Sequence, residues 1–308
     1  DITAHVDFSA IAHAGVDAGA VLAGYTTQAR FLMNCGIVDL LAGIGAPGTL
    51  PYAQATSAML KLLAESEMGE LFKVIAFVKR AAGLDVEEFH ARWRGRHADL
   101  IRSSPAAERA LVRYEQSHRS LKDYHHDDCI FDGAAVQWYR DWDSFIAMVS
   151  DAEYQATVGV DERELFDQEA MLVVFTEVED VIVPRPADLV PPYTRLVCAV
   201  RRKPGMDLDE FHTYWLETHG PLNRDDADIR AFFLAYEQNH RLRSDYDRPG
   251  CDIDGVTIQT FASASRFFEM AMDPIYEARI HPDELKFLAR DNLIWMLTDA
   301  EDVIVDRT

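Results

Sequence analysis

The strongest constraint on the fold of this chain is an internal duplication. Residues 74–183 align with residues 196–305 at a constant offset of 122 residues and without a gap. The period is far too long for a solenoid repeat, so each copy predicts a domain of its own. The segment Pro184–Pro192 is rich in proline and predicts a linker between the copies. The recurring residues include His90 and His212, Trp93 and Trp215, His97 and His219, Tyr114 and Tyr236, Gln116 and Gln238, His118 and His240, and Gln137 and Gln259.

Each copy predicts the same order of helices and strands. The first copy predicts strands at Lys73–Lys79, Ala110–Ser117, Ala134–Arg140 and Met171–Val178, and helices at Asp85–His97 and from near Asp143. The second copy predicts strands at Thr194–Arg202, Ala231–Asn239, Val256–Ala262 and Leu293–Thr298, and helices at Asp207–His219 and from near Ser265. The order βαββαβ is that of a ferredoxin-like unit of the α+β class.

Such a unit covers one sheet face with helices and leaves the other face to be buried. The two copies are therefore predicted to pack sheet against sheet as an internal pseudo-dimeric α+β barrel. This gives a helical N-terminal region over 1–72, a first domain over 73–183, a linker over 184–192 and a second domain over 193–308.

Composition excludes several classes of partner. Acidic residues number 52 against 30 basic ones, which gives a net charge of −22. This charge argues against nucleic acid or an anionic membrane as the main partner. The four cysteines form no C-x-x-C pair, and no run of 18 apolar residues occurs, so a cytoplasmic location is expected. The first residue is Asp1, which fits a processed product or part of a longer fusion protein.

The first predicted helix carries His90, Trp93 and His97 on one face. Seven helical residues rise about 10.5 Å, so His90 and His97 cannot both bind one zinc ion. His90 and Trp93 are typical of a buried stripe, whereas His97 falls at the predicted helix end, where a side chain can reach a cavity. The loop His125–Asp128 is absent from the second copy and is expected to be solvated, and no metal site is predicted. In the second copy, His212 and Trp215 are interpreted like His90 and Trp93, and His219 is interpreted like His97.

The second predicted strand places Tyr114, Gln116 and His118 on one face by alternation. A phenol, an amide and an imidazole together can donate, accept and move protons. They fit either a polar pocket or a hydrogen-bonded network between the two sheets. The motifs that bind nucleotides, activate serine nucleophiles or hold zinc on a helix are missing, so ATP- or NAD-dependent chemistry is not supported.

The segments Lys203–Leu222 and Tyr236–Arg241, followed by Asp254-Gly255, resemble the signature of the EthD family. The resemblance covers both copies and implies the dimeric α+β barrel fold. The family includes a protein of ether-degradation operons and cofactor-free dehydratases and decarboxylases of aromatic polyketide pathways. Its signature histidine maps to His219 and to His97. Because Gly220-Pro221 follows His219 whereas Ala98-Asp99 follows His97, the two copies are not expected to be equally active.

Residues 1–78 resemble the C-terminal end of MidA-type SAM-dependent methyltransferases, on the segments His5–Phe8, Thr27–Leu32 and Glu67–Val74. The glycine-rich turn that would hold SAM is missing, so neither SAM binding nor methyl transfer is expected. The region instead predicts helices over Thr26–Ala42 and Tyr52–Ala64.

The leading hypothesis is a cofactor-independent lyase or isomerase, of the dehydratase, decarboxylase or cyclase type, acting on an aromatic or polyketide-like molecule. The alternatives are a non-catalytic binding or accessory protein of an oxygenase pathway and, since related barrels hold haem through a histidine, a haem protein. A homodimer in addition to the internal pair is a further alternative. The candidate catalytic residues are His219, His97, Tyr236, Tyr114, His240 and His118. The candidate substrate-binding residues are Gln238, Gln116, Gln259, Gln137, Trp215 and Trp93.

Overall fold

The computed structural model describes residues 71–125 and 128–307, together with a few isolated positions before residue 71. The predicted helical region 1–72, with its helices over Thr26–Ala42 and Tyr52–Ala64, therefore lies almost entirely outside the described residues. Leu71–Thr308 form one compact unit. Among the helices that the structure describes, none has the length and apolar character needed to cross a membrane.

Both copies fold into the same series of elements. The first copy contains β1 (Phe72–Val78), α1 (Val86–Arg92), a π-helical turn (Trp93–His97), α2 (Ala98–Ser103), α3 (Pro105–Ala110), β2 (Leu111–His118), β3 (Gly133–Tyr139), α4 (Trp142–Ser150), α5 (Ala152–Ala156), α6 (Val158–Leu165), β4 (Leu172–Glu177) and β5 (Asp180–Val183). The second copy contains β6 (Thr194–Val200), α7 (Leu208–Tyr214), a π-helical turn (Trp215–His219), α8 (Gly220–Asp225), α9 (Ala227–Arg230), β7 (Ala235–His240), β8 (Gly255–Phe261), α10 (Ala264–Met272), a π-helical turn (Tyr276–Ile280), α11 (His281–Phe287), β9 (Ile294–Thr298) and β10 (Asp302–Asp306).

The first helix of each copy begins where the sequence predicts it. Asp85 is the N-cap of α1, and its carboxylate accepts the backbone N–H of Glu88. Asp207 caps α7 in the same way, through the backbone N–H groups of Asp209 and Glu210. These bonds satisfy N–H groups that the first helical turn leaves without a partner, so the cap fixes the start of each helix.

The predicted end of this helix at His97 and at His219 is wrong, because the chain stays helical beyond both residues. Trp93–His97 and Trp215–His219 form π-helical turns, and α2 and α8 follow them directly. A π-helical turn places an extra residue in the helix and is frequent at functional sites. Both histidines therefore lie inside a helix.

Each copy forms a four-stranded antiparallel sheet to which the other copy adds a fifth strand. The strand orders are β10-β2-β3-β1-β4 and β5-β7-β8-β6-β9. The short strands β5 and β10 are the recurring segments Asp180–Val183 and Asp302–Asp306, which were not predicted as strands. Strand β5 pairs with β7, and β10 pairs with β2. The two copies thus exchange their last strands.

The predicted α+β class and the packing of sheet against sheet are confirmed. Apolar residues of both sheets, among them Ile75, Val136, Val197 and Ile258, form one buried cluster between the sheets. The outer face of each sheet carries its helices over a separate core. Ile304 of β10 packs into the core of the first copy, and Ile182 of β5 packs into that of the second copy. Strand exchange therefore ties each helix layer to the other copy.

Candidate functional site

Each π-helical turn of the first helix ends on a histidine that is paired with a buried aspartate. His97 Nδ1 lies 3.1 Å from Asp161 Oδ2, and His219 Nδ1 lies 2.9 Å from Asp283 Oδ2. All four residues are buried. An ionised carboxylate can only accept hydrogen bonds, so Nδ1 carries the proton of the neutral imidazole and Nε2 keeps its lone pair.

The second copy adds a further contact to this pair. Asn223 Nδ2 lies 3.1 Å from His219 Nε2 and donates to the His219 carbonyl at 2.8 Å. The equivalent residue of the first copy is Ile101, which offers no such donor. Burial acts to raise the pKa of Asp283, but hydrogen bonds from His219 and Tyr214 outweigh it and lower the pKa to about 2. The carboxylate therefore stays ionised and holds His219 in one tautomer.

A chain of hydrogen-bond contacts runs from β2 to α1 and beyond in the first copy, and we call this chain the relay. Gln116 Oε1 lies 3.1 Å from His118 Nε2, and His118 Nδ1 lies 2.8 Å from His90 Nδ1. His90 Nε2 lies 3.0 Å from the Tyr124 hydroxyl, which donates to Asp132 Oδ1 at 2.7 Å. The relay thus joins two imidazoles between an amide oxygen and a carboxylate.

The second copy builds the same relay from Gln238, His240, His212, Tyr246 and Asp254. The corresponding four distances are 3.2, 2.6, 2.8 and 3.1 Å. The relay therefore belongs to both copies of the duplication.

Fixed donors hold both ends of the relay in the first copy. Gln116 Nε2 donates to the Tyr114 hydroxyl at 3.2 Å and to the Trp93 carbonyl at 3.0 Å, so its Oε1 must face His118. At the other end, Asp132 accepts the backbone N–H of Arg80 at 2.7 Å and also the Arg80 guanidinium. These bonds make both ends of the relay acceptors.

A count of protons shows what the relay can do. Its four contacts need four hydrogens, because both ends only accept. Two neutral imidazoles and one phenol supply three polar hydrogens. With neutral histidines the relay is one proton short, and it can take up one more proton without moving a heavy atom.

Burial keeps the two imidazoles of the first-copy relay uncharged at neutral pH. Desolvation, helped by nearby Arg94, lowers the pKa of His90 to about 4. Desolvation also lowers the pKa of His118 to about 2. A charged imidazole is costly in such an environment. The relay is thus suited to passing a proton on rather than storing it.

The exchanged strands bring a carboxylate of one copy to the relay of the other. Asp302 Oδ2 of β10 lies 3.5 Å from His118 Nε2, and Asp180 Oδ2 of β5 lies 3.7 Å from His240 Nε2. The environment of each relay histidine is therefore completed only when both copies are folded together.

The predicted grouping of side chains on one face of the second strand is confirmed. The interpretation that they form a network between the two sheets is wrong. Tyr114, Gln116 and His118 point towards the helices, so their network lies between sheet and helix and not between the two sheets. The alternate residues Glu115 and Ser117 face the partner sheet, where they contact an arginine of β6.

The predicted glutamines of the third strand stand apart from the relay. Gln137 Oε1 accepts a hydrogen bond from Tyr139 at 2.9 Å. Gln259 holds the equivalent place on β8, and its Oε1 has no hydrogen-bond partner among the described residues. The structure thus joins ten of the twelve predicted residues to a relay or an aspartate pair and leaves these two outside.

In the second copy the backbone that follows His219 passes close to the relay. A Cβ placed on Gly220, the residue after His219, would lie 3.5 Å from Gln238 Nε2 and 2.9 Å from Ile182 Cδ1. Gly255 is needed for a similar reason, since a Cβ there would lie 2.5 Å from Trp215 Cζ3. The lack of a side chain at Gly220 thus allows the backbone next to His219 to approach Gln238, and Gly255 makes room for the Trp215 ring.

Sequence reasoning missed several members of this site. His90 and His212 were expected only to fill a buried stripe, and the partners Tyr124, Asp132 and Asp161 were assigned no role. The signal for them is the duplication, because each recurs 122 residues later as Tyr246, Asp254 and Asp283. A hydrogen-bonding residue that survives in both copies is a candidate partner for another.

No metal centre is evident in the described part of the chain, where no three histidine, cysteine or acidic residues are placed to share an ion. Two residues of the loop His125–Asp128 fall outside the described residues.

These observations define a fused α+β barrel with a histidine relay in each helix layer. A model of the EthD domain matches residues 81–169 and 203–291, which together make more than half of the chain. The chain belongs to the EthD family. The methyltransferase resemblance of residues 1–78 stays a prediction.

Several solved structures are similar to this chain at low sequence identity. An anthrone oxidase-like protein is 9% identical with a TM-score of 0.51, and the match covers 79% of this chain and 97% of that one. A putative monooxygenase from Lactobacillus acidophilus is 11% identical with a TM-score of 0.45, covering 77% and 95%. A chlorite dismutase variant from Candidatus Nitrospira defluvii is 14% identical with a TM-score of 0.44, covering 80% and 95%. A comparison with curated proteins gave no match.

Proposed function

We propose that the protein is a cofactor-independent lyase or isomerase that moves a proton on an aromatic or polyketide-like small molecule. The observation that carries the proposal is the relay. It is duplicated and one proton short, its imidazoles are uncharged in the first copy, and in the second copy it lies close to the backbone at Gly220, the residue after His219. Membership of the EthD family and the likeness to an anthrone oxidase-like protein support an aromatic substrate.

In this mechanism His219 is the general base. Its Nε2 lone pair takes a proton from a carbon next to a substrate carbonyl, once the Asn223 amide has turned away from it. The C–H bond breaks, an N–H bond forms, and the negative charge moves to the carbonyl oxygen. Asp283 stabilises the resulting imidazolium, as the acidic member of a catalytic triad does.

The enolate oxygen then needs a hydrogen-bond donor. We assign this role to the Tyr236 hydroxyl, which accepts a hydrogen bond from Gln238 Nε2 at 3.1 Å and has its own O–H to donate. Return of the proton to a different carbon completes an isomerisation. Departure of a leaving group completes a lyase reaction.

The first copy gives a matched control for the test. Deuterium incorporation into anthrone and into aromatic ketones in D₂O is followed by NMR for the wild type, His219→Ala and His97→Ala. His219→Ala should lose about 100-fold or more of the exchange rate. His97→Ala should keep most of it, because Ala98-Asp99 replaces Gly220-Pro221 there and Ile101 replaces Asn223. Exchange that is absent from the wild type, or equal in His219→Ala, would contradict the proposal, provided that thermal melting shows the variants folded.

A second candidate is a non-catalytic binding protein. The dense packing of the site favours it over an enzyme, because buried histidines have little access to a substrate. His219 is only 5% exposed, and the relay histidines are equally buried. In that case an aromatic ligand binds without proton exchange, and His219→Ala keeps its affinity.

Haem ligation through these histidines fits the described residues poorly. The relay histidines use both ring nitrogens in contacts with protein groups, and Nε2 of His219 faces Asn223. Addition of haem should therefore give no Soret band typical of histidine ligation. A homodimer beyond the internal pair and a cytoplasmic location stay predictions.

A further inference from the structure

A cavity of about 340 Å³ lies between the two sheets, apart from the histidine relays. Its wall combines apolar, aromatic and charged groups, which is the usual make-up of a small-molecule site. The lining residues are Arg113, Glu115, Trp138, Glu179, Val181, Val183, Arg185, Arg195, Ala235, Tyr236, Glu237, Ile258 and Thr260.

Two sets of buried ion pairs, related by the duplication, border this cavity. Lys73 Nζ lies 3.1 Å from Glu179 and 3.5 Å from Glu237. Its counterpart Arg195 lies 3.1 Å from both Glu115 and Glu301, the counterparts of Glu237 and Glu179. Each cation thus bridges a glutamate of its own copy and a glutamate of the other copy.

The two copies differ at two positions of the cavity wall. In the first copy Arg113 lies next to Glu115, with Arg113 Nε donating to Glu115 Oε1 at 2.8 Å. The guanidinium of Arg113 also lies 5.8 Å from the centre of the Trp138 ring. In the second copy the counterparts of Arg113 and Trp138 are Ala235 and Thr260. Protein interiors are otherwise closely packed, so the loss of a guanidinium and an indole leaves open space.

This divergence leaves Glu237 less neutralised than its counterpart. Glu115 has two arginine partners, whereas Glu237 has only Lys73 at 3.5 Å among the ion pairs of the described residues. Its Oε1 makes no hydrogen bond within the described part of the chain. That oxygen is the one that faces Lys73, while the Glu237 side chain as a whole is 24% exposed. Among the ion pairs of the described residues, the Glu237 carboxylate therefore has no arginine at the place where the first copy has one.

We propose that this cavity binds a flat aromatic molecule that carries a cationic nitrogen. The nitrogen donates to Glu237 in the position that Arg113 takes beside Glu115. The ring lies over Thr260 and Ile258, in the position that Trp138 takes in the first copy. The ligand thus takes the place of two side chains that only the first copy carries.

The remaining charges of the wall are compatible with a cation. Arg113 is paired with Glu115 and Asp306, Arg185 with Glu301, and Arg195 with Glu115 and Glu301. Because each arginine is neutralised by carboxylates, an anionic ligand would have to break one of these pairs. Val181, Val183 and Ile258 provide the apolar surface that a ring needs.

Calorimetry with the full chain tests the proposal, with tryptamine as the cationic probe and indole-3-propionate as its anionic analogue. Tryptamine should bind at least about tenfold more tightly than the analogue. Glu237→Gln should weaken tryptamine binding by about tenfold or more, because a hydrogen bond to a charged group is lost. The matched control Glu217→Gln changes an exposed glutamate of the same copy and should leave the affinity unchanged.

Restoring the side chains of the first copy provides a second, independent readout. Ala235→Arg and Thr260→Trp should each abolish tryptamine binding while the chain keeps a cooperative thermal transition. The proposal is overturned if tryptamine binds no more tightly than indole-3-propionate. It is equally overturned if tryptamine still binds with unchanged affinity both to Glu237→Gln and to a folded Ala235→Arg or Thr260→Trp variant.

Discussion

At the scale of single residues, the sequence shows which side chains share a face but not what that face meets. Strand alternation correctly places Tyr114, Gln116 and His118 together, because that periodicity is local. Whether they meet a helix or the partner sheet depends on contacts between segments far apart in the chain. The role of His90 was missed for the same reason, since its partner His118 lies 28 residues away.

The burial of the first-copy relay predicts a specific loss of stability in acid. The pKa of His90 is lowered to about 4 by burial and by Arg94, below the ordinary value of 6.5. Above pH 6.5, His90 is neutral in both the folded and the unfolded chain. As the pH falls from 6.5 towards 4, the unfolded chain binds a proton that folded His90 does not, so the free energy of unfolding decreases. The loss at pH 4 should be about 3 kcal/mol.

Urea denaturation at pH 7 and pH 4 measures this effect. In His90→Gln the difference between the two pH values should be smaller than in the wild type by about that amount. His281, a histidine that is not buried, provides the control, and His281→Gln should keep the difference found in the wild type. An unchanged difference in His90→Gln would show that His90 titrates alike in both states.

At the scale of elements, the caps of the first helices were predictable and the exchanged strands were not. A capping aspartate acts on backbone groups two or three residues away, so Asp85 and Asp207 signal their helices directly. Strands β5 and β10 are short and follow another strand closely. They are strands only because an unpaired edge of the other copy accepts them, which local sequence does not encode. The π-helical turns likewise continue a helix past its predicted end.

Strand exchange predicts that β10 stabilises the first copy. Ile304 is buried in the first helix-layer core, so Ile304→Ala should reduce the free energy of unfolding by about 2–4 kcal/mol. Its neighbour Val303 is exposed, and Val303→Ala should change stability by less than about 0.5 kcal/mol. Chemical denaturation compares the two variants, and equal effects would mean that β10 does not pack as described.

At the scale of the whole molecule, the duplication predicted the barrel but not its asymmetry. Two ferredoxin-like units each leave one sheet face uncovered, so their pairing follows from the repeat. The cavity depends on two substitutions, Ala235 for Arg113 and Thr260 for Trp138. The sequence shows both substitutions, but only the packing of the two sheets shows that all four positions line one cavity.

The exchanged strands also predict that the two halves depend on each other. Residues 1–184 and 185–308, produced as separate chains, should be poorly soluble alone and should form a one-to-one complex when produced together. Each half exposes an apolar sheet face and lacks the strand that the other supplies. Light scattering after size-exclusion chromatography measures the complex. Two stable monomers that do not associate would contradict the exchange of strands.

The proposed acid–base chemistry requires that both imidazoles of each buried relay are uncharged and that the relay is one proton short. Nitrogen NMR of ¹⁵N-histidine-labelled protein at pH 7 tests it most directly, with resonances assigned through single His→Gln variants. We expect one protonated and one bare nitrogen on each of His90, His118, His212 and His240, with no charging down to pH 5. A relay histidine that is doubly protonated at pH 7 would mean that the relay already holds its fourth proton, and it would contradict the proposed acid–base role.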